Sequence, residues 1–243
     1  MPRARASLAR LALGLALLAL ATTAAGPVLI HAGVASALPG FRIFSLGLLA
    51  SLPALLFSLA ALVRTRGAAG RPGRAHALCA AVVSASLVAL LIALALPARR
   101  VPAIHDVTTD PTDPPVFAPV ERPIGSPAQG GYPPENAVVQ QSAYPELAPI
   151  HVSLPPPQAF DAAGRAATAL GWEIVRSDPE TGTIEATATS RVFRFVDDVA
   201  IRIRADGEGA RVDLRSCSRV GKSDIGANAA RIRAFAERLG GEG

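Results

Sequence analysis

Long apolar runs fill the first hundred positions of the chain, whereas the last hundred carry short runs with alternating or helical spacing. Three long runs, at 11–34, 41–63 and 76–96, reach the roughly 20 residues a helix needs to cross a hydrocarbon core of about 30 Å. The first is interrupted mainly by Thr22, Thr23, Gly26, Pro27 and His31; the second has Arg42 at its edge and Pro53 inside; the third has no charge. Gly40 and Pro97 mark the start of the second and the end of the third. A helix satisfies its own backbone groups in lipid, so the pattern predicts an N-terminal bundle of three transmembrane helices. Ala12 with Ala16, Gly47 with Ser51, and Ala81 with Ala85 have the small-residue spacing that lets such helices approach closely.

Beyond residue 150 the periods shorten. A strand is predicted at 150–154 and a helix at 156–170, with Phe160, Ala163, Ala167 and Leu170 at helical spacing and Gly171 as its stop. Strands at 172–176 and 183–189 are joined by the turn-rich Asp178-Pro179-Glu180-Thr181-Gly182. In a second hairpin Val199, Ile201 and Ile203 alternate with Ala200, Arg202 and Arg204, and after Asp206-Gly207-Glu208-Gly209 the alternation resumes through Arg211, Val212, Asp213, Leu214 and Arg215. One face is core and the other charged. A last helix over 223–239 carries Ile225, Ala229, Ile232, Ala236 and Leu239 as its stripe. The expected class is an α-helical transmembrane bundle of three spans followed by an α+β domain, an antiparallel sheet with two helices.

Charge divides the chain at the same place. No Asp or Glu precedes Arg100, while residues 101–243 hold all 19 of them against 14 basic residues. Arg3, Arg5 and Arg10 precede the first span, and Arg64, Arg66, Arg71 and Arg74 fill the loop after the second. The arginine bias puts both on the cytoplasmic side and the C-terminal domain outside the membrane, although Arg99 and Arg100 lie on that outer side. The basic start and Ala19, Ala21, Ala24 and Ala25 also fit a cleavable signal peptide, but apolar character continues through Val28, Leu29 and Ile30, which favours a retained span. Residues 101–149, with Pro114-Pro115 and Pro133-Pro134, read as a Pro-rich tether whose first part, around Asp106 to Phe117, can lie against the domain at 150–243.

Candidate chemistry concentrates between the last strand and the last helix, in Arg215-Ser216-Cys217-Ser218-Arg219-Val220-Gly221-Lys222-Ser223-Asp224-Ile225-Gly226-Ala227-Asn228. Together with Asp106-Val107-Thr108-Thr109-Asp110-Pro111 and Pro114-Pro115-Val116-Phe117, this string resembles the bacterial membrane-anchored family catalogued as domain of unknown function 1499, over roughly residues 104–240. The resemblance implies an envelope setting and carries over no catalytic residue. Gly221-Lys222-Ser223 lacks the earlier glycine of a phosphate-binding loop, since Ser216 stands there. The bland expectation is that Gly221 turns the chain, Ser223 caps the helix, and Asp224 favours its positive end.

A sharper expectation is a binding cluster of Asp106, Asp110, Arg215, Arg219, Lys222, Ser223, Asp224 and Asn228. It would take either an external anion, such as a phospholipid headgroup, or an internal one, with Asp106 or Asp110 reaching the cations and pinning the tether. No cofactor, metal set or catalytic residue is expected. His105 and His151 lack metal-like spacing, and Asp197-Asp198 reads as a turn or a solvated edge because adjacent strand residues face opposite ways. Cys79 falls in a span and Cys217 in the outer domain, so no framework disulfide is expected, and Cys217 reads as a half-buried free thiol. The favoured function is a multi-pass protein of the bacterial inner membrane whose outer module binds lipid, an anionic envelope component or a partner protein, and not nucleic acid. The alternative is a hydrolase or transferase on an anionic envelope substrate, with Asp106, Asp110 or Asp224 as acid or base and Arg219 and Lys222 holding the charge.

Overall fold

The structure, a computed structural model, describes residues 2–66, 73–118 and 126–241. It divides into a helical unit, Met1–Arg99 with Val192–Arg194, and a second unit, Arg100–Arg191 with Phe195–Gly243.

The helical unit contains α1 (Pro2–His31), α2 (Ala37–Arg64) and α3 (Arg74–Ala98). All three are long and apolar enough to cross a membrane. Small residues bring α1 and α2 together: a Cβ added to Gly47 would lie 2.3 Å from the Thr23 nitrogen, so the two backbones touch. Hydroxyls here bond within their own helix, Thr23 to the Ala19 carbonyl at 2.8 Å and Ser58 to that of Ala54 at 2.7 Å, which leaves no polar group facing lipid at those positions. Ala12, Ala16, Gly47 and Ser51 are buried as the spacing predicts. On α3 the expected pair is displaced. Ala85 is exposed, and the packed row is Ala77, Ala80, Ser84 and Leu87, because in an Ala-rich helix several rows have the same spacing and packing selects one. Gly40 does not open the second helix but is buried inside it, and Pro97 falls within the last turn of α3. Arg71 lies outside the described residues.

The second unit is α+β. Its elements are β1 (Asp106–Thr108), α4 (Pro134–Ala143), β2 (Ile150–Val152), α5 (Pro156–Ala169), β3 (Glu173–Asp178), β4 (Thr183–Thr189), β5 (Val196–Asp206), β6 (Gly209–Ser218) and α6 (Ala227–Gly240). The sheet runs β1-β6-β5-β4-β3, with every pairing antiparallel. β2 shares the outer side of β6 with β1.

Alternation sends Ile184, Val199, Ile201, Val212 and Leu214 to one face, where they pack with Ala163 and Ala167 of α5 and Ile232 and Phe235 of α6. Trp172 stacks on Phe235 at 5.5 Å between ring centroids. Phe235 is fully buried, and burying an aromatic ring of this kind is worth about 1.5–3 kcal/mol.

One expectation changes here. Residues 101–149 do not form only a tether: they contribute β1, a 3-10 turn (Pro127–Gln129) and α4. Much of the charged face of the sheet is covered. Glu185, Asp198, Asp213 and Arg215 are each no more than 2% exposed, because the chain after β1 crosses that face as a strap.

Candidate functional site

β6 sets the site. Arg211, Asp213 and Arg215 are two residues apart, so all three point to the strap side. Opposite them the strap presents Asp106, Asp110 and Asp113.

Arg215 Nη2 donates to Asp106 Oδ2 at 2.7 Å and Nε to Oδ1 at 3.1 Å, a two-armed pair with side chains 1% and 2% exposed. The Phe117 ring lies 5.0 Å from the guanidinium carbon and the Tyr132 ring 6.0 Å. These aromatic faces supply attraction where water cannot reach. Arg211 pairs with Asp110. Asp213, fully buried, accepts from Arg202 at 3.0 Å, Arg204 at 2.7 Å and Arg211 at 2.9 Å. Asp113 in turn holds Arg204 at 2.7 Å and Arg202 at 3.1 Å.

β1 is the edge of the sheet here, and a side chain completes it. Gln140 of α4 accepts from the Thr108 amide at 2.9 Å and donates to the Thr108 carbonyl at 2.7 Å, as a neighbouring strand would. Tyr132 donates to the same Gln140 Oε1 at 3.0 Å.

A second cluster closes the entry to α6. Asp224 accepts from the Gly226 amide at 2.8 Å and the Asn228 amide at 2.7 Å. The Asn228 side chain accepts from Ser216 at 2.7 Å and donates to the His105 carbonyl and to Ser218, both at 3.0 Å. Arg231 joins Asn228, Ser216 and Asp197, while Arg219 pairs with Asp198 at 2.8 Å. Gly226, at φ +81°, takes the left-handed conformation that starts the helix.

Environment tunes these groups in different directions. Burial alone would raise Asp110, but hydrogen bonds from Thr112 and Asp113 and the Arg211 charge together hold its carboxyl below the usual range. Burial raises Asp224 despite the amides it accepts from. Burial, then the Asp106 charge, pushes the Cys217 thiol up, and Tyr132 is raised for the same two reasons.

The expected cluster thus separates into parts. Asp106 meets Arg215, and Asp224 meets Asn228, but Asp110 reaches Arg211 and not Arg219. Ser223 does not cap the helix: α6 begins at Ala227, and Asp224, one residue further on, makes the capping bonds. Lys222 is exposed and makes no ion pair among the described residues. Asp197 and Asp198 are buried strand residues with separate arginine partners, so they form no solvated edge, although they do point to opposite faces. Cys217 is fully buried, not half-buried. Asp106, Asp110 and Asp224 do not share a cleft; the open cleft of about 280 Å³ beside Trp172, Ser190 and Arg231 contains none of them. The charge alternation in 211–215 already set Asp213 among arginines, and the structure gives it Arg202, Arg204 and Arg211 as partners. Gln140 and Tyr132 carried no signal in the sequence.

Fold and site together define a protein with three membrane-length helices and an antiparallel α+β module braced by an internal ion-pair strap. The chain belongs to the family described as Protein of unknown function (DUF1499), whose match spans residues 106–239, from the first residue of β1 into the last turn of α6. A search of curated proteins finds no match.

Proposed function

We propose that this is a multi-pass protein of the bacterial inner membrane, N-terminus in the cytoplasm, whose α+β module stands outside the membrane and binds an anionic envelope component or a partner protein. The observation that carries a binding role is the closure of the family's two sequence blocks on each other. Asp106, Asp110, Arg215, Arg219 and Asp224 all have partners inside the module, so this constellation shapes a rigid surface and does not line an open cleft. A hydrolase or transferase built on Asp106, Asp110 and Asp224 would need them around one substrate, and they are held in separate clusters. Sidedness rests on the arginines at Arg64, Arg66 and Arg74 and before residue 11.

The reading is tested in two arms. Alkaline phosphatase fused after Gly243 is expected to be active, and full-length chain in nanodiscs is expected to co-sediment with purified cell-wall sacculi. An inactive fusion refutes the sidedness. Absence of co-sedimentation with sacculi, together with no retention of anionic lipid, refutes the envelope ligand.

A further inference from the structure

One end of the sheet gathers three loops. Thr189 pairs with Val196, Asp197 with Ser218, and Asp106 with Cys217, so residues 100–105, 190–191 and 219–226 lie at the same end of the sheet. Two of them are laced together: the Ser218 amide donates to the His105 carbonyl at 2.8 Å and the Asp224 amide to that of Ile104 at 3.1 Å.

Charge is segregated along the sheet. At this end the exposed residues include Arg100, Arg191 and Lys222, with Arg219 partly exposed. Of the carboxylates at this end, Asp197 and Asp198 are buried on arginines and Asp224 is turned onto the amides of α6, while Glu173 is exposed on the far edge strand, β3. The opposite end, at the β3–β4 and β5–β6 turns, exposes Glu180, Asp206 and Glu208. Between the cations, Val220 and Ile225 are 42% and 53% exposed. Ile225 has φ +55°, a conformation a β-branched residue rarely accepts, and the loop nevertheless leaves its side chain in the open. Residue 100 directly follows Arg99, the C-cap of α3.

We infer that this basic end is a lipid-docking surface: Arg100, Arg191, Arg219 and Lys222 meet anionic headgroups while Val220 and Ile225 enter the interface. Cations near a negatively charged leaflet gain attraction that dies off within about 8 Å at physiological salt, so only this end of the module benefits. The apolar side chains add burial that uncharged headgroups alone would not recruit. The inference depends on the membrane-embedded part of the proposed function and holds for either side of the bilayer.

The test uses full-length chain carrying Cys79→Ser and Cys217→Ala, with thermal unfolding as the check on folding. A spin label is placed at Ile225→Cys, or at Glu208→Cys as the distant control, in vesicles of phosphatidylcholine alone or with about 30% phosphatidylglycerol. With phosphatidylglycerol the label at 225 is expected to lose most of its collisions with a water-soluble nickel complex and gain collisions with oxygen. High salt, or the triple change Arg100→Glu, Arg191→Glu, Lys222→Glu, is expected to return it to water while the chain still floats with the vesicles. The label at 208 stays in water throughout. A label at 225 that is equally accessible to nickel in both lipids overturns the inference, and so does protection indifferent to anionic lipid, salt and charge reversal. A chain that fails to float with vesicles refutes membrane embedding instead.

Discussion

Arg215 is buried, and it is held by one carboxylate, the Gly130 carbonyl at 3.3 Å and two aromatic rings. Removing one member of a buried pair leaves the other uncompensated, at a cost of about 3–5 kcal/mol. Arg215→Met and Asp106→Leu are each expected to destabilise by about that much, whereas the two changes together lose far less than the sum. Urea unfolding in detergent measures all corners of the cycle; simple additivity would show that the pair does not couple. Titration separates two other carboxylates. Asp110 is depressed, so its stabilisation is present above the ordinary aspartate value of the unfolded chain and is lost as pH falls through its lower folded value. Asp224 is raised, so its contribution is complete below that ordinary value and is lost as pH rises through its folded value. Asp110→Asn should therefore flatten the acid limb of the stability profile, and Asp224→Asn should remove a decline just above it. For Cys217, burial predicts that maleimide reacts at pH near 8 only after unfolding, read by mass spectrometry with and without urea.

At the scale of elements, the entry to α6 shows how a helix start can be misplaced by a few residues. Ser223 and Asp224 both suit a cap, but Gly226 in the left-handed region lets the chain turn after them, so Asp224 reaches back to the amides of 226 and 228. Gly226→Ala would strain that conformation and place a Cβ 3.2 Å from Val101 Cγ1. The expected loss is about 1–2 kcal/mol, measured as a drop in unfolding midpoint. β1 illustrates the opposite difficulty. Its three residues, Asp-Val-Thr, are too few to show alternation, and the strand exists because β6 and the Gln140 amide satisfy its backbone from both sides. Composition in a Pro-rich stretch reports local stiffness and is silent on what the stretch packs against.

At the scale of the molecule, the strap makes residues 100–118 and 126–149 part of the folded module. The Thr109 amide donates to the Leu214 carbonyl at 2.9 Å, and that of Thr108 to Gln140. Both amides should exchange with deuterium as slowly as those of β6; exchange within the mixing time would mean that the segment is a loose tether. The three spans, the two hairpins and the helices at 156–169 and 227–240 were legible along the chain, because a period of 3.6 or 2 and a length of about 20 apolar residues are properties of neighbours in sequence. The charged candidates were legible as residue types, but their partners were not. Arg215 finds Asp106 across 109 positions and Arg211 finds Asp110 across 101, and no local pattern encodes a distance of that kind. Sequence by itself determined which segments are long and apolar enough to cross lipid and which faces of the strands are apolar. Tertiary structure alone decided that the charged face would be covered and its ions paired, because only folding brings a carboxylate from the first strand of the module to an arginine of its last strand and excludes the water that would otherwise solvate both.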